Sequence, residues 1–468
     1  MASSVELSDY EKLIYNINTL GDFNVISIVI LDCEDNNEIT ESIFKKAMFY
    51  MYNRHPLFRA RIHKSTSKNK IFFKFPNEDE KIKNFNEIPV EIKTEVNEDV
   101  SITEQLEAFN STLFDYENKC LLWRVKLFAF NAKRYVLALV MPFFITDGMN
   151  INALSIEIVN ILNCILTRKI CDEMHCRLDL IDNLHEQIEK HNLIKIEAVE
   201  NRLKSLKNIL FTLPGKFKNN FDNGLKINLM TLSADLSKKV IDTAKLRGLK
   251  LTGYLFATAL YALKDLFDDN KFYFPRDIAC GIPANLRLRL NPNIEFYHMR
   301  YCVLLTHLDL YYPRFGTFKD IWKDAEYVNE VIANNTRFDN GSILELSHDN
   351  EYIEMGNSIF DSCQDAKILS NLLNSQKTFD LSLSNLGTYS FDRVKRIDGP
   401  LKISEIYHGD SINTEPNAFP SLMLHVSTWD FRIMIQLSSS RRAFATHYSD
   451  QFMELYKLAI EKSLFENE

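Results

Sequence analysis

Residues 134–163 constrain the fold of this chain more than any other stretch. The segment opens with an almost unbroken run of strand-forming apolar side chains, which predicts a buried strand over residues 134–144. The letters TDG at residues 146–148 are a turn signal, and after them apolar residues recur at helical spacing. The sequence therefore predicts a strand, a tight polar turn and a long buried helix.

The turn and its flanks, PFFITDGMNINAL, resemble the HxxxDG segment of the CoA-dependent acyltransferase superfamily. This superfamily includes chloramphenicol acetyltransferase, the plant BAHD enzymes, peptide-synthetase condensation domains and fungal alcohol acetyltransferases. The resemblance implies that the motif His is the general base, that the Asp holds the local structure through an Arg, and that the Gly lets the turn form. Asp147 and Gly148 match two of these positions, but Phe143 stands where the family has its His. A phenyl ring cannot accept a proton.

Five further phrases resemble superfamily motifs and follow in the family's order. They are RHPLFRARI from residue 54, LLWR from residue 121, CGIPANLRLRL from residue 280, WKDAEYVN from residue 322 and FDLSLSNLG from residue 379. These phrases are most similar to the corresponding motifs of fungal alcohol acetyltransferases. In the third phrase, Arg287 takes the position of the Arg that partners the motif Asp, so we expect Asp147 and Arg287 to form a structural pair.

The resemblance covers nearly the whole chain. It implies an α/β fold of two similar chloramphenicol-acetyltransferase-like subdomains, with mixed sheets flanked by helices and an active-site tunnel at their interface. Residues 1–184 are expected to form the first subdomain, with the degenerate motif, and residues 227–468 the second. A charged stretch followed by Pro-Gly and the run KFKNNFDNG predicts a crossover linker over residues 185–226.

Charge and cysteine usage limit the surroundings of the protein. A net charge of −8 argues against a nucleic-acid partner, because binding phosphates needs a basic face. The eight cysteines are scattered and the first residues lack the features of a secretory signal, so we expect a cytoplasmic protein.

No apolar run approaches the roughly 20 residues that span a bilayer. An amphipathic first helix leaves open peripheral contact with an internal membrane such as the endoplasmic reticulum. The resemblance implies a monomer.

Cys171, His175 and Cys176 form the one local cluster of metal-ligating residue types. No second pair of ligands follows at the spacing of a zinc site. We therefore expect ordinary free thiols and no metal.

The missing His decides which chemistry we expect. An alcohol needs its proton removed during attack, whereas a neutral amine attacks a thioester unaided, and an apolar site keeps an amine neutral. Our leading hypothesis is an acetyl-CoA-dependent N-acetyltransferase of the detoxification type, acting on an amphipathic small molecule. One alternative is an inactive family member that binds a hydrophobic ligand or a partner. Another is an alcohol O-acetyltransferase with a substitute base.

Several residues of the second half are candidates for the site. The candidate substitute bases are His298, His408 and His425. The candidate contacts to the thioester or pantetheine are Ser384, Asn385, Gly387 and Thr428. For each of these the competing interpretation is a purely structural residue.

Overall fold

The structure is a computed structural model. It describes residues 3–20, 23–34, 38–65, 70–93, 102–131, 133–170, 175–184, 186–187, 224–274, 277–290, 293–311, 320–336, 380–389, 394–411 and 421–465. Within these ranges the chain forms two large mixed sheets flanked by helices, as predicted. Each sheet has its own hydrophobic core.

The first large sheet carries the predicted motif strand at its centre. Its strands are β2 (Asn24–Cys33), β5 (Glu91–Lys93), β6 (Arg124–Asn131), β7 (Arg134–Pro142) and β12 (Leu401–Asp410). They are ordered β12-β2-β7-β6-β5. A small sheet lies beside it, formed by β1 (Ser4–Glu6), β3 (Arg61–Lys64) and β4 (Ile71–Lys74). The helices of this half are α1 (Asp9–Leu20), α2 (Glu41–Arg54), α3 (Pro56–Arg59), α4 (Ile102–Asn110) and α5 (Gly148–Leu166).

The second large sheet belongs to the other half of the chain. Its strands are β8 (Leu225–Thr231), β9 (Asp277–Asn285), β10 (Val303–Tyr311), β11 (Leu381–Thr388), β13 (Leu422–Trp429) and β14 (Arg432–Ser440). They are ordered β10-β9-β11-β13-β14-β8. The helices are α6 (Ala234–Leu246), α7 (Leu251–Asp269), α8 (Ile321–Asn335) and α9 (Thr446–Phe465). Helix α7 packs between α8 and α9, so its apolar residues form the centre of this core.

The strand, turn and helix predicted over residues 134–163 are confirmed with one refinement. Strand β7 ends at Pro142, and Phe143–Ile145 forms a single 3₁₀ turn before α5 begins. Helix α5 is long and apolar enough to cross a membrane by length and composition. However, 78% of its most apolar 18-residue stretch is buried, and the helix packs on α2, β2 and β12. These contacts are those of a core helix.

Strand β12 does not stay with the half of the chain that contains it. It pairs antiparallel with β2, which places residues 401–410 in the first sheet. The predicted division at residue 227 does not anticipate this, because a strand's own pattern does not encode which sheet accepts it. Gly409 lets β12 run close to the second sheet, since a Cβ there would lie 1.8 Å from Gln436 Nε2 on β14.

The predicted linker lies mostly outside the described residues. Only residues 186–187 and 224–226 of it are described, and β8 already begins at Leu225.

Candidate functional site

The carboxylate of Asp147 is buried at the junction of the two halves. It caps the first turn of α5, because its Oδ1 accepts the backbone N–H of Asn150 at 2.9 Å. Its Oδ2 accepts Nε of Arg287 at 3.0 Å and lies 2.9 Å from Arg287 Nη2. The pairing predicted from the motif order is thus present, and both side chains are 0% exposed.

Arg287 extends this contact into the segment that follows β9. Its Nη1 donates to the backbone carbonyls of Glu295 and His298, and its Nη2 donates to that of Arg300. Burial is the largest single influence and acts to lower the pKa of this guanidinium, but the charge and hydrogen bond of Asp147 together with Cys302 and Tyr389 outweigh it, and the pKa is raised. The guanidinium therefore stays charged, and the pair ties three backbone carbonyls to the start of α5.

Gly148 provides space for a side chain from the second half. The resemblance implied that this glycine lets the turn form, but it is not among the described glycines with positive φ, which are Gly248 and Gly387. A Cβ at Gly148 would instead lie 2.8 Å from Cδ2 of His408. The glycine thus allows His408, at the end of β12, to pack directly against the motif turn.

Phe143 lies in an aromatic cluster rather than in a polar one. Its backbone N–H donates to the carbonyl of Phe23 at 3.2 Å, and the two rings are 4.5 Å apart. The ring of Tyr301 is 5.1 Å away on another side and stacks on Tyr10 at 5.3 Å. Phe143 itself is only half-buried. The four rings, which we call the aromatic cluster, make the surroundings of the motif position apolar.

His408 and His425 lie together beside the motif turn. Their rings are 4.9 Å apart in an edge-to-face arrangement, and both side chains are buried. Nε2 of His408 lies 3.5 Å from the hydroxyl of Ser384, at the limit of a hydrogen bond. Nε2 of His425 is 3.9 Å from Oδ2 of Asp410, which is too long for one.

Burial is the main influence on the pKa values of His408, His425 and Asp410. It lowers the pKa of His425 to about 3, and together with His425 it lowers the pKa of His408 well below the ordinary value. It raises the pKa of the Asp410 carboxyl to about 7. Both imidazoles are therefore neutral near pH 7, so the 3.9 Å approach of His425 to Asp410 is not an ion pair. Asp410 is divided between its neutral and ionised forms.

Of the other candidate residues, Ser384 and Thr428 are placed differently from Asn385 and Gly387. Ser384 lies beside His408, and Thr428 is buried on β13. Asn385 instead supports the end of β11, where its Oδ1 accepts the N–H of Gly387 and its Nδ2 donates to Thr252. Gly387 has φ of +72°, which favours glycine for conformational reasons.

His298 has different neighbours from the other two candidate histidines. Its carbonyl accepts hydrogen bonds from Arg287 and Asn150. Burial lowers the pKa of its ring, and the charges of His55, Arg287 and Arg54 act in the same direction. The ring is therefore next to a separate polar cluster in which His55 and Arg54 contact Glu157.

Sequence reasoning missed Asp410 and Tyr301. Asp410 stands in the letters YHGD, which read as the end of a strand followed by a turn, and Tyr301 stands outside every family phrase. Asp410 could have been found through His408, a candidate that lies two positions before it. Nothing in the local sequence showed that β12 would join the first sheet.

No group of three His, Cys, Asp or Glu side chains among the described residues is placed to hold an ion. Cys171 lies outside the described residues, so the cluster considered with His175 and Cys176 is not described as a whole.

Replacing Asp147 by Ala is expected to destabilise the protein by about 3–5 kcal/mol, because Arg287 would remain charged and buried without its partner. Urea unfolding followed by fluorescence measures this change. Adding Arg287→Met should recover part of the loss. A variant that keeps wild-type stability but loses activity would instead assign Asp147 a chemical role.

Replacing Asp410 by Asn should stabilise the protein at alkaline pH. The folded-state pKa is raised from 3.8 to about 7, so the stabilisation from holding the proton is complete below about pH 4 and is lost as pH rises through 7. The variant should therefore gain up to about 4 kcal/mol over wild type between these limits. Urea unfolding across this range, with the exposed Asp398→Asn as control, measures it; a difference independent of pH would contradict the assignment.

Comparison with known proteins supports the fold. No protein-family model and no curated protein matches the chain. Among solved structures, the epimerization domain from the third module of tyrocidine synthetase B has a TM-score of 0.65 at 14% identity, over 99% of this chain and 98% of that one. The first condensation domain of the CDA synthetase has a TM-score of 0.66 at 10% identity, over 99% and 97% of the two chains.

An acetyltransferase has the same fold. The trichothecene 15-O-acetyltransferase from Fusarium sporotrichioides matches with a TM-score of 0.66 at 11% identity, over 98% of this chain and 95% of that one. The protein therefore has the two-subdomain α/β fold that condensation and epimerization domains share with this acetyltransferase.

Proposed function

We propose that this protein is an acyltransferase that moves an acetyl group from acetyl-CoA to the amine of an amphipathic small molecule. The fold supports acyl transfer at a coarse level, since its neighbours include an acetyltransferase and condensation domains. The observation that carries the choice of acceptor is the environment of Phe143. This residue occupies the motif position of the base, yet it packs against Phe23 and Tyr301 in the aromatic cluster.

The energetic cost of losing the base depends on the acceptor. A positioned general base is worth about 10²–10⁴-fold in rate, whereas holding two reactants in attack geometry supplies about 7–11 kcal/mol. An alcohol, with a pKa near that of water at about 15.7, is almost inert unless its proton is taken. An alkyl amine has a pKa of about 10.4, and an apolar site lowers this value. An amine therefore loses less than an alcohol when the motif His is absent.

A second candidate function is alcohol O-acetylation with His408 as the substitute base. The observation in its favour is that His408 packs against Gly148, next to the motif turn. Two features weaken it. Burial and the neighbouring His425 lower the pKa of His408, so that it is a weak base, and its Nδ1 has no hydrogen-bond partner among the described residues to orient the ring.

The protein should bind acetyl-CoA and release free thiol when a long-chain amine is added. Calorimetry measures the binding, and thiol detection with panels of amines and alcohols of matched chain length measures the transfer. We expect more thiol to be released with amines than with alcohols. Absence of acetyl-CoA binding would overturn the enzymatic function and leave the remaining hypothesis, an inactive protein that binds a hydrophobic ligand or a partner.

Restoring the missing imidazole by Phe143→His should raise alcohol transfer by about 10²-fold or more, because the new ring would stand at the motif position of the base. The rate of thiol release with a long-chain alcohol measures this, and Phe143→Leu is the matched control for loss of the ring. An unchanged alcohol rate with intact acetyl-CoA binding would count against the site. Loss of wild-type alcohol transfer in His408→Gln would favour the substitute base.

A further inference from the structure

Asp410 is a buried carboxylate that the proposed reaction leaves without a role. The residue is 5% exposed and stands at the last position of β12. Among the described residues its carboxylate accepts no hydrogen bond, and Nε2 of His425 lies 3.9 Å from its Oδ2. Burying a carboxylate without a partner is costly, and such a group is a candidate to bind a cation.

The pairing of three strands places Asp410 at the same end of the sheet as Phe143. Val25 on β2 pairs with Asp410 on one side and with Met141 on the other. Beyond this row, the chain after β7 continues directly to Phe143, whose N–H bonds to Phe23. The two strands that end here are two spacings apart, about 10 Å. Strand β2 lies between them, so Asp410 and Phe143 stand on either side of the start of β2, at one end of the sheet.

The groups around this position are suited to a cation. The aromatic cluster presents the rings of Phe143, Phe23 and Tyr301, and Phe143 is half-buried rather than enclosed. The pKa of Tyr301 is raised by burial and by the charges of nearby groups, among which are Tyr10, Asp147 and Asp410. Aromatic faces and a carboxylate together attract an ammonium group.

We propose that Asp410 binds the ammonium group of the acceptor and takes its proton before attack. The inference rests on the proposed amine acceptor and names the residue that selects it. An alcohol cannot form this charge pair, so Asp410 would also favour amines over alcohols in binding.

The proton transfers balance without a further reactant. The ammonium gives one proton to the Asp410 carboxylate, which leaves a neutral amine and a carboxylic acid. The nitrogen lone pair then forms a bond to the thioester carbonyl carbon, and the carbon–sulfur bond breaks. The second proton on nitrogen goes to the departing thiolate, which leaves as CoA thiol. Asp410 returns to its ionised form by releasing its proton to water.

The pH dependence follows from the groups that face Asp410. These are His425 on β13, His408 on β12 and Tyr301, and all three are neutral near pH 7 because burial disfavours their charged forms. Asp410 is then the only one of the four that changes charge near pH 7. Binding of a cationic acceptor should therefore strengthen as pH rises through 7.

The first test measures binding in the absence of acetyl-CoA. Calorimetry with decylammonium and with 1-decanol compares wild type with Asp410→Asn, and the exposed Asp398→Asn serves as the control. Wild type should bind decylammonium more tightly at pH 8 than at pH 6. Asp410→Asn should weaken decylammonium binding by about 10–100-fold and leave decanol binding unchanged. Equal decylammonium binding by wild type and Asp410→Asn would overturn the proposal, as would pH-independent binding to wild type.

The second test follows acetylation of decylamine between pH 7 and pH 9. In wild type, kcat/KM should level off above pH 7, because the ionised Asp410 captures the ammonium form that predominates in solution. In Asp410→Asn, kcat/KM should rise about tenfold per pH unit, following the free amine of pKa about 10.4. The same profile in both proteins would overturn the role of Asp410 while leaving amine acetylation intact.

The two hypotheses fail in different ways. Absence of amine-dependent thiol release from wild type would overturn the acetyltransferase function, whereas Asp410-dependent binding of decylammonium would still establish the cation site.

Discussion

The buried ion pair between Asp147 and Arg287 is the interaction on which the site depends. Both charges are removed from water, so their attraction and their hydrogen bonds must replace hydration. Asp147 uses its two oxygens for this purpose, one for the N-terminus of α5 and one for the guanidinium. Arg287 in turn holds the segment that carries Tyr301. The pair thus fixes the motif turn and one wall of the aromatic cluster relative to each other.

Burial then determines the chemistry around that pair. The imidazoles of His408 and His425 and the carboxyl of Asp410 share a region from which water is largely excluded. In such a region each group is driven towards its neutral form, which weakens the two histidines as bases. The same effect moves Asp410 towards a pKa suited to accepting a proton at neutral pH. In the proposed reaction, Asp410 is therefore the proton acceptor that the phenyl ring at position 143 cannot be.

Much of the architecture could be predicted because it is encoded locally. The apolar run of β7, the turn letters and the helical spacing of α5 lie next to each other in the chain, and each reports its own conformation. The pairing of Asp147 with Arg287 could be predicted only through the family resemblance, since 140 positions separate them in sequence. The same resemblance indicated His408, His425 and Ser384 as candidates and favoured His425 among the histidines. It gave no reason to expect that His298 would lie near His55.

By itself, the sequence determined the element types, the order of the motif phrases and the absence of an imidazole at position 143. Only the tertiary structure decided that β12 leaves its own half and pairs with β2, because strand partners are chosen by the packing of whole sheets. That choice brings His408 against Gly148 and places Asp410 at the same sheet end as Phe143. The charge state of Asp410 depends on the same packing, since burial is a property of the assembled sheets and not of the letters YHGD.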